Sequence, residues 1–213
     1  SDSEKQNRSA PPVVSGLDWG SVYRSRSLWQ LAAIYFGFGF SYIIYATFFV
    51  RHLTAEAGFT LTQAGRLWLQ IGLVSVVSGF IWGSVSDRWS RRAALVWVFA
   101  LQAASFVLFG LARERWGIYL SAALFAVTAW SVPALMAALS GDLFGARLAP
   151  AALGLITMVF GLGQALGPYV AGVIADATSS FGPTFVLAGM VALMLGAGGA
   201  LLMPGPTRKP GAC

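Results

Sequence analysis

Long uncharged apolar runs alternate with short polar segments along this 213-residue chain. The runs are Leu28–Val50, Leu67–Ser86, Ala93–Ala112, Trp116–Gly141, Leu148–Ala175 and Ala177–Thr207. Each reaches about 20 residues or more, enough for a helix to cross a hydrocarbon layer of roughly 30 Å. The pattern predicts an all-α membrane protein with six transmembrane helices over residues 28–207. A polar tail or linker (1–27) precedes the bundle and a short tail (208–213) follows it.

Composition supports this reading and narrows the chemistry. The chain is 57% hydrophobic and 10% charged, against about 25% charged residues in a soluble domain. The net charge of +6 sits in loops beside the apolar runs. That distribution favours anionic lipid over nucleic acid, for which a concentrated basic face would be needed. One Cys, Cys213, excludes an intrachain disulfide. The single His, His52, falls in a loop by this reading. No His/Cys zinc set or Cys–His catalytic pair can be drawn from those counts. Gly37 and Gly39 read as helix packing, and no catalytic motif stands out. An enzyme is not expected, nor is a cofactor.

Residues 1–27 lack an apolar core and do not form a signal peptide. They read as a cytosolic segment, poorly ordered up to about Val14. The first residue is Ser1, so a fragment or processed chain is expected. Lys5, Arg8, Arg24, Arg26, Arg88, Arg91, Arg92, Arg147, Arg208 and Lys209 share one side of a six-span topology. Arg51, Arg66, Arg113 and Arg115 occupy the other. The positive-inside rule then places both termini and the Arg88–Arg92 loop in the cytoplasm.

The second and fifth runs resemble each other at an offset of 89 residues. That offset carries Gly65 onto Gly154, Gly72 onto Gly161, Gly83 onto Gly172 and Asp87 onto Asp176. It also sets Gly79 against Pro168. An offset of three spans reverses sidedness, so the pattern reads as a 3+3 inverted repeat, a building plan of secondary transporters. Chance similarity between glycine-rich helices is the competing explanation.

The most specific motif is Gly83-Ser-Val-Ser-Asp87-Arg88-Trp-Ser-Arg91-Arg92. It resembles the cytoplasmic G-x-x-x-D-R-x-x-R-R/K signature of the major facilitator superfamily, with Ser90 where the family often has Gly. Gly161-Leu-Gly-Gln-Ala-Leu-Gly167-Pro168, continuing to Gly172, resembles that family's Gly-Pro motif in the fifth helix of a half. The resemblance spans about residues 28–203 and fits one six-helix half. It implies a latch between two halves, and a central cavity lined by the first and fourth helices. The third and sixth would face lipid.

The residues give a physical account of their own. Gly79 and Gly83 lie four apart and permit close helix contact. The Asp87 carboxylate can face a positive helix N-terminus, while Arg88, Arg91 and Arg92 can pair with acids or lipid phosphates. Alternatively, these arginines only set topology. In the first run, Tyr35, Tyr42 and Tyr45 share one helical face. The fourth run holds Thr128, Trp130, Ser131 and Pro133, and the second and fifth add Gln70 and Gln164. Pro133 frees a backbone carbonyl and bends the helix. Tyr35, Tyr42, Tyr45, Gln70, Thr128, Trp130 and Gln164 are therefore the substrate-contact candidates. The plainer alternative is that Tyr and Trp mark interfaces and Thr bonds its own helix. Trp29, Trp116 and Tyr119 read as interfacial anchors.

No ionisable side chain falls in the middle of a run. Such groups usually mark ion coupling, so coupling is expected in another half. Two functional readings remain. One is half of a secondary active transporter for a small organic solute, working against a second six-helix half. The other is a non-transporting six-span scaffold. The absent start Met, the long basic leading tail and the short trailing tail favour a C-terminal half. Resemblance to uncharacterised bacterial members points to the inner membrane and leaves the substrate open.

Overall fold

The computed structural model describes residues 19–203, and every regular element among them is helical. In order they are α1 (Trp19–Arg24), α2 (Arg26–Ala55), α3 (Leu61–Ser75), α4 (Ser78–Arg88) and α5 (Arg91–Leu111). There follow α6 (Arg115–Ala126), α7 (Ser131–Thr178), α8 (Gly182–Val191), a π-helical segment (Ala192–Gly198) and α9 (Gly199–Leu201).

Among the described residues, five helical stretches are long and apolar enough to cross a membrane. Four match the first, second, third and sixth apolar runs. The remaining stretch, Arg115–Thr178, has 64 residues and covers the fourth and fifth runs together. A straight helix of that length would extend about 96 Å at 1.5 Å per residue, three times the hydrocarbon thickness. The chain does not stay straight. At Gly145 the backbone turns to φ 71° and ψ 164°, outside helical geometry. That φ lies in the region glycine enters without a Cβ clash. Gly145 sits between Asp142 and Arg147, within the polar segment that separates the two runs.

Several boundaries move from their expected places. The second run's helix starts at Leu61, ahead of Leu67, because Thr60 and Gln63 form a capping box. Thr60 Oγ1 accepts from the Gln63 amide at 3.2 Å, and Gln63 Oε1 accepts from the Thr60 amide at 3.0 Å. The sixth run does not begin at Ala177. Helix α7 continues to Thr178, Ser179 takes a left-handed φ of 55°, and the new helix starts at Gly182 with a proline in its first turn. Residues 19–24 are helical rather than linker, with Val22 buried. Expectations for the tail up to Val14 and for residues 208–213 lie outside the described residues.

The core is aromatic. Tyr45 and Phe49 of α2, Phe106 and Phe109 of α5, Phe125 of α6 and Phe185 of α8 are buried together. The Tyr45 ring stands 4.4 Å from Phe125 and 4.8 Å from Phe109 between centroids. Helix α2 packs most extensively on α7, where small residues let the backbones meet. A Cβ added at Gly163 would stand 2.5 Å from the Phe36 carbonyl oxygen, and one at Gly167 2.7 Å from that of Phe40. The third run faces partly inward: its two polar side chains, Gln102 and Ser105, are fully buried. Ser105 Oγ donates to the Ser121 carbonyl at 2.8 Å, and Ser121 Oγ returns the bond to the Ser105 carbonyl at 2.8 Å.

Candidate functional site

Two helices break inside their apolar runs, and the breaks lie against each other. One separates α3 from α4 at Val76–Val77; the other separates α6 from α7 over Val127–Trp130. Pro133 explains the second. It cannot donate to the carbonyl four residues back, and its ring crowds that turn. A hydrocarbon environment offers no water to the freed groups, so protein must satisfy them. It does. The Trp130 amide donates to Ser78 Oγ at 3.1 Å, and Trp82 Nε1 donates to the Val127 carbonyl at 2.9 Å. From α5, Gln102 Nε2 donates to the Thr128 carbonyl at 3.1 Å.

Beside this junction runs a row of rings. Tyr35 stacks on Phe160 at 4.5 Å between centroids, Phe160 on Phe38 at 5.7 Å, and Phe38 on Tyr42 at 5.2 Å. Tyr42 then meets Trp130 at 6.1 Å, with the planes tilted by 54°. Trp130 is 52% exposed and Tyr42 partly so, so these two rings give the row an accessible end. Such a surface suits flat apolar or amphipathic groups, which gain from offset stacking and area burial.

The other contact candidates divide. Tyr35 is buried within the row. Tyr45 is wholly buried, with its hydroxyl 3.0 Å from Ser121 Oγ. Thr128 is also buried, and its hydroxyl donates to the Leu124 carbonyl at 2.8 Å. Neither Tyr45 nor Thr128 offers surface to a solute in this conformation. Gln164 is partly buried on α7. Gln70 lines a groove of about 260 Å³ between α3 and α6, with Leu67, Val74, Tyr119 and Ala123, ending at Val127 beside the broken helix. The interfacial candidates Trp29, Trp116 and Tyr119 are all exposed, and Trp29 Nε1 donates to the Tyr23 carbonyl at 2.9 Å.

At one end of the bundle Arg91 ties two runs together. Its guanidinium meets Asp87 Oδ1 at 2.5 Å, Ser86 Oγ at 2.6 Å and Asp142 Oδ2 at 3.0 Å. Arg92 donates instead to the carbonyls of Leu201 and Met203, at the end of α9. Arg88 is exposed. Gly79 lies 3.8 Å, measured from an added Cβ, from the Trp130 carbonyl. Gly65, Gly72, Gly83, Gly154, Gly161 and Gly172 have nothing within 4 Å of such a Cβ. Pro168 stands inside α7 next to the tightly packed Gly167, and Asp176 is exposed near that helix's end.

At the other end Glu56 plays a matching part. Its Oε1 accepts from the Phe181 amide at 2.7 Å and its Oε2 from Ser180 Oγ at 2.7 Å. Glu56 and Asp142 were not among the residues singled out from sequence. Each is a lone acid near the end of an apolar run, which is a weak signal. His52, assigned to a loop, lies in the last turn of α2 and is buried. Ser78 and Trp82 gave no signal, because their partners exist only once the fourth run breaks.

Among the described residues, the all-helical structure with its long apolar helices supports an integral membrane protein. Comparison with protein families makes the class specific. The family described as "Uncharacterised MFS-type transporter YbfB" matches residues 19–201, and the chain belongs to that family. Comparison with curated proteins gives no significant match.

Proposed function

We propose that this chain is one six-span half of a secondary active transporter, moving a small organic solute by alternating access. In this reading Arg115–Thr178 crosses twice, at 115–144 and 146–178. The six spans form two inverted triplets, with both termini and the Arg88–Arg92 loop on the cytoplasmic side of a bacterial inner membrane.

The observation that carries the proposal is a pair of contacts related by the 89-residue offset. Arg91 and Ser180 are 89 positions apart. Arg91, before the third span, bonds an acid ending the fourth; Ser180, before the sixth, bonds an acid ending the first. Ser78 and Gly167 are likewise 89 apart. Ser78 meets the backbone of the fourth span at Trp130, and Gly167 meets that of the first at Phe40. Two repeats that exchange equivalent contacts at opposite ends fit a body that rocks as a unit.

Breaks inside the helices and the accessible Tyr42–Trp130 rings support a solute site there. The substrate class is an aromatic or amphipathic organic molecule. The outer faces of α3, α4 and the second part of α7 leave their glycines open, and a second six-helix half is the proposed partner on them. Arg91, Asp87 and Asp142 tie the second, third and fourth spans together within this half, and the exposed Arg88 beside them is the proposed latch residue toward the second half.

Uptake into proteoliposomes by the complete protein, screened over aromatic and amphipathic solutes, tests the proposal. Uptake that Trp130→Ala abolishes supports it. A protein that takes up none of the solutes but co-purifies with other membrane proteins supports the scaffold reading instead.

A further inference from the structure

His52 is the single histidine of the chain, and it is 5% exposed. Its ring lies between Phe109 of α5 and Phe185 of α8, at centroid distances of 5.0 and 5.1 Å. Its Nδ1 is buried with no hydrogen-bond donor or acceptor satisfying it, yet it stands 3.3 Å from Glu56 Oε2. That oxygen already accepts from Ser180 Oγ, and its twin accepts from the Phe181 amide.

A neutral imidazole has one N–H and one lone pair. With that proton on Nε2, the Nδ1 lone pair stands 3.3 Å from a carboxylate oxygen. Two acceptors then face each other in a site closed by aromatic rings. A proton on Nδ1 converts that contact into a charge-assisted hydrogen bond. The geometry points to a proton-binding site shared by His52 Nδ1 and Glu56 Oε2, whose occupancy tightens the junction between the end of α2 and the start of α8.

Occupied, the Glu56 carboxylate holds three donors: the imidazolium, Ser180 Oγ and the Phe181 amide. Vacant, it faces a lone pair and holds the start of α8 less firmly. Around the ring the nearby charges among the described residues are Glu56 itself and Arg51, the latter lying over the Phe181 ring at 5.4 Å. Helices α5 and α8 present the Phe109 and Phe185 rings. Among these groups the Glu56 carboxylate is the one within reach of Nδ1, so it is the partner that would hold the proton there.

One histidine gives one set of imidazole signals. The test is therefore direct: the full chain, ¹⁵N/¹³C-labelled at histidine and purified with a tag free of histidine, is titrated in nanodiscs. The site predicts an Nε2–H tautomer at high pH, a single protonation step, and a higher protection factor at the Phe181 amide (exchange relative to the intrinsic rate at each pH) once the proton is bound. Glu56→Gln is expected to lower the midpoint by about one pH unit, tenfold in proton affinity. An Nδ1–H tautomer, an unshifted midpoint in Glu56→Gln, or a Phe181 protection factor that is unchanged or lower on protonation would overturn it. If Glu56→Gln does not fold, the wild-type tautomer and exchange decide alone. No transport is measured, so failure here is separable from failure of the transporter reading.

Discussion

Arg91 Nε lies 3.0 Å from Asp142 Oδ2, 51 positions later in the chain. This contact spans two runs that sequence distance separates, and its partners are partly solvated, with side chains 29% and 55% exposed. Exposure limits its thermodynamic weight. Asp142→Asn is expected to cost below about 1 kcal/mol of stability, a small change in detergent melting temperature. Its effect falls on conformation: labelling of a cysteine placed at Ser90 should accelerate. Arg91→Lys keeps the charge but loses the fork that reaches Asp87 and Asp142 together, so it should give an intermediate rate.

The glycines divide into packed and open sets, and the division predicts opposite outcomes. At Gly163 and Gly39 an added Cβ would run into the carbonyls of Phe36 and Phe160. Gly163→Ala should therefore destabilise the bundle by about 1–3 kcal/mol through overpacking. Gly65→Ala and Gly161→Ala meet nothing within 4 Å and should leave melting unchanged. If their faces carry the partner half, those two substitutions will instead weaken its association, seen by crosslinking.

The junction between broken helices rests on side chains that satisfy freed backbone groups. Trp82→Phe removes the donor to the Val127 carbonyl. Losing this part-buried bond costs about 0.5–1.5 kcal/mol. Thermal unfolding of Trp82→Phe should show that loss. Tyr45→Phe keeps the ring packing and removes the hydroxyl bond to Ser121, a change of about 0.5–1.5 kcal/mol.

Tyr42 and Trp130 are the candidates with accessible ring surface beside the break. Tyr42→Ala and Trp130→Ala should each reduce solute uptake at least tenfold while shifting melting little for Trp130, which is half exposed. A solute that stacks on Trp130 should alter tryptophan emission in the wild type and lose most of that change in Trp130→Phe.

Much of this architecture was legible from the chain because hydrocarbon length and charge are local properties. Leu28–Val50 lies within α2, and the polar segment around Asp142 and Arg147 contains the turn at Gly145. Pro133 announced a bend, though the break itself falls upstream at Val127–Trp130. The break at Val76–Val77 carries no Pro or Gly of its own and follows from its contact with the fourth run. The π-helical segment Ala192–Gly198 is similar: it accommodates the Phe99 ring against Gly196, a neighbour that sequence distance hides.

The candidate site was less legible, since depth depends on what packs around a residue. Tyr42 and Tyr45 share a helical face, yet Tyr42 keeps accessible surface and Tyr45 is sealed by four phenylalanines from α5, α6 and α8. His52 follows Arg51 and reads as a surface residue. Phe109 and Phe185, far away in sequence, bury it.

Sidedness of the loops tests the central claim most directly. With Cys213 replaced by serine, single cysteines at residues 57, 90, 113, 146 and 180 can be labelled in oriented vesicles with an impermeant maleimide. Two inverted triplets require 90 and 146 to label from the cytoplasmic side, and 57, 113 and 180 from the other. Labelling of 146 and 113 from the same side would mean that Arg115–Thr178 does not cross twice, and the account would fail.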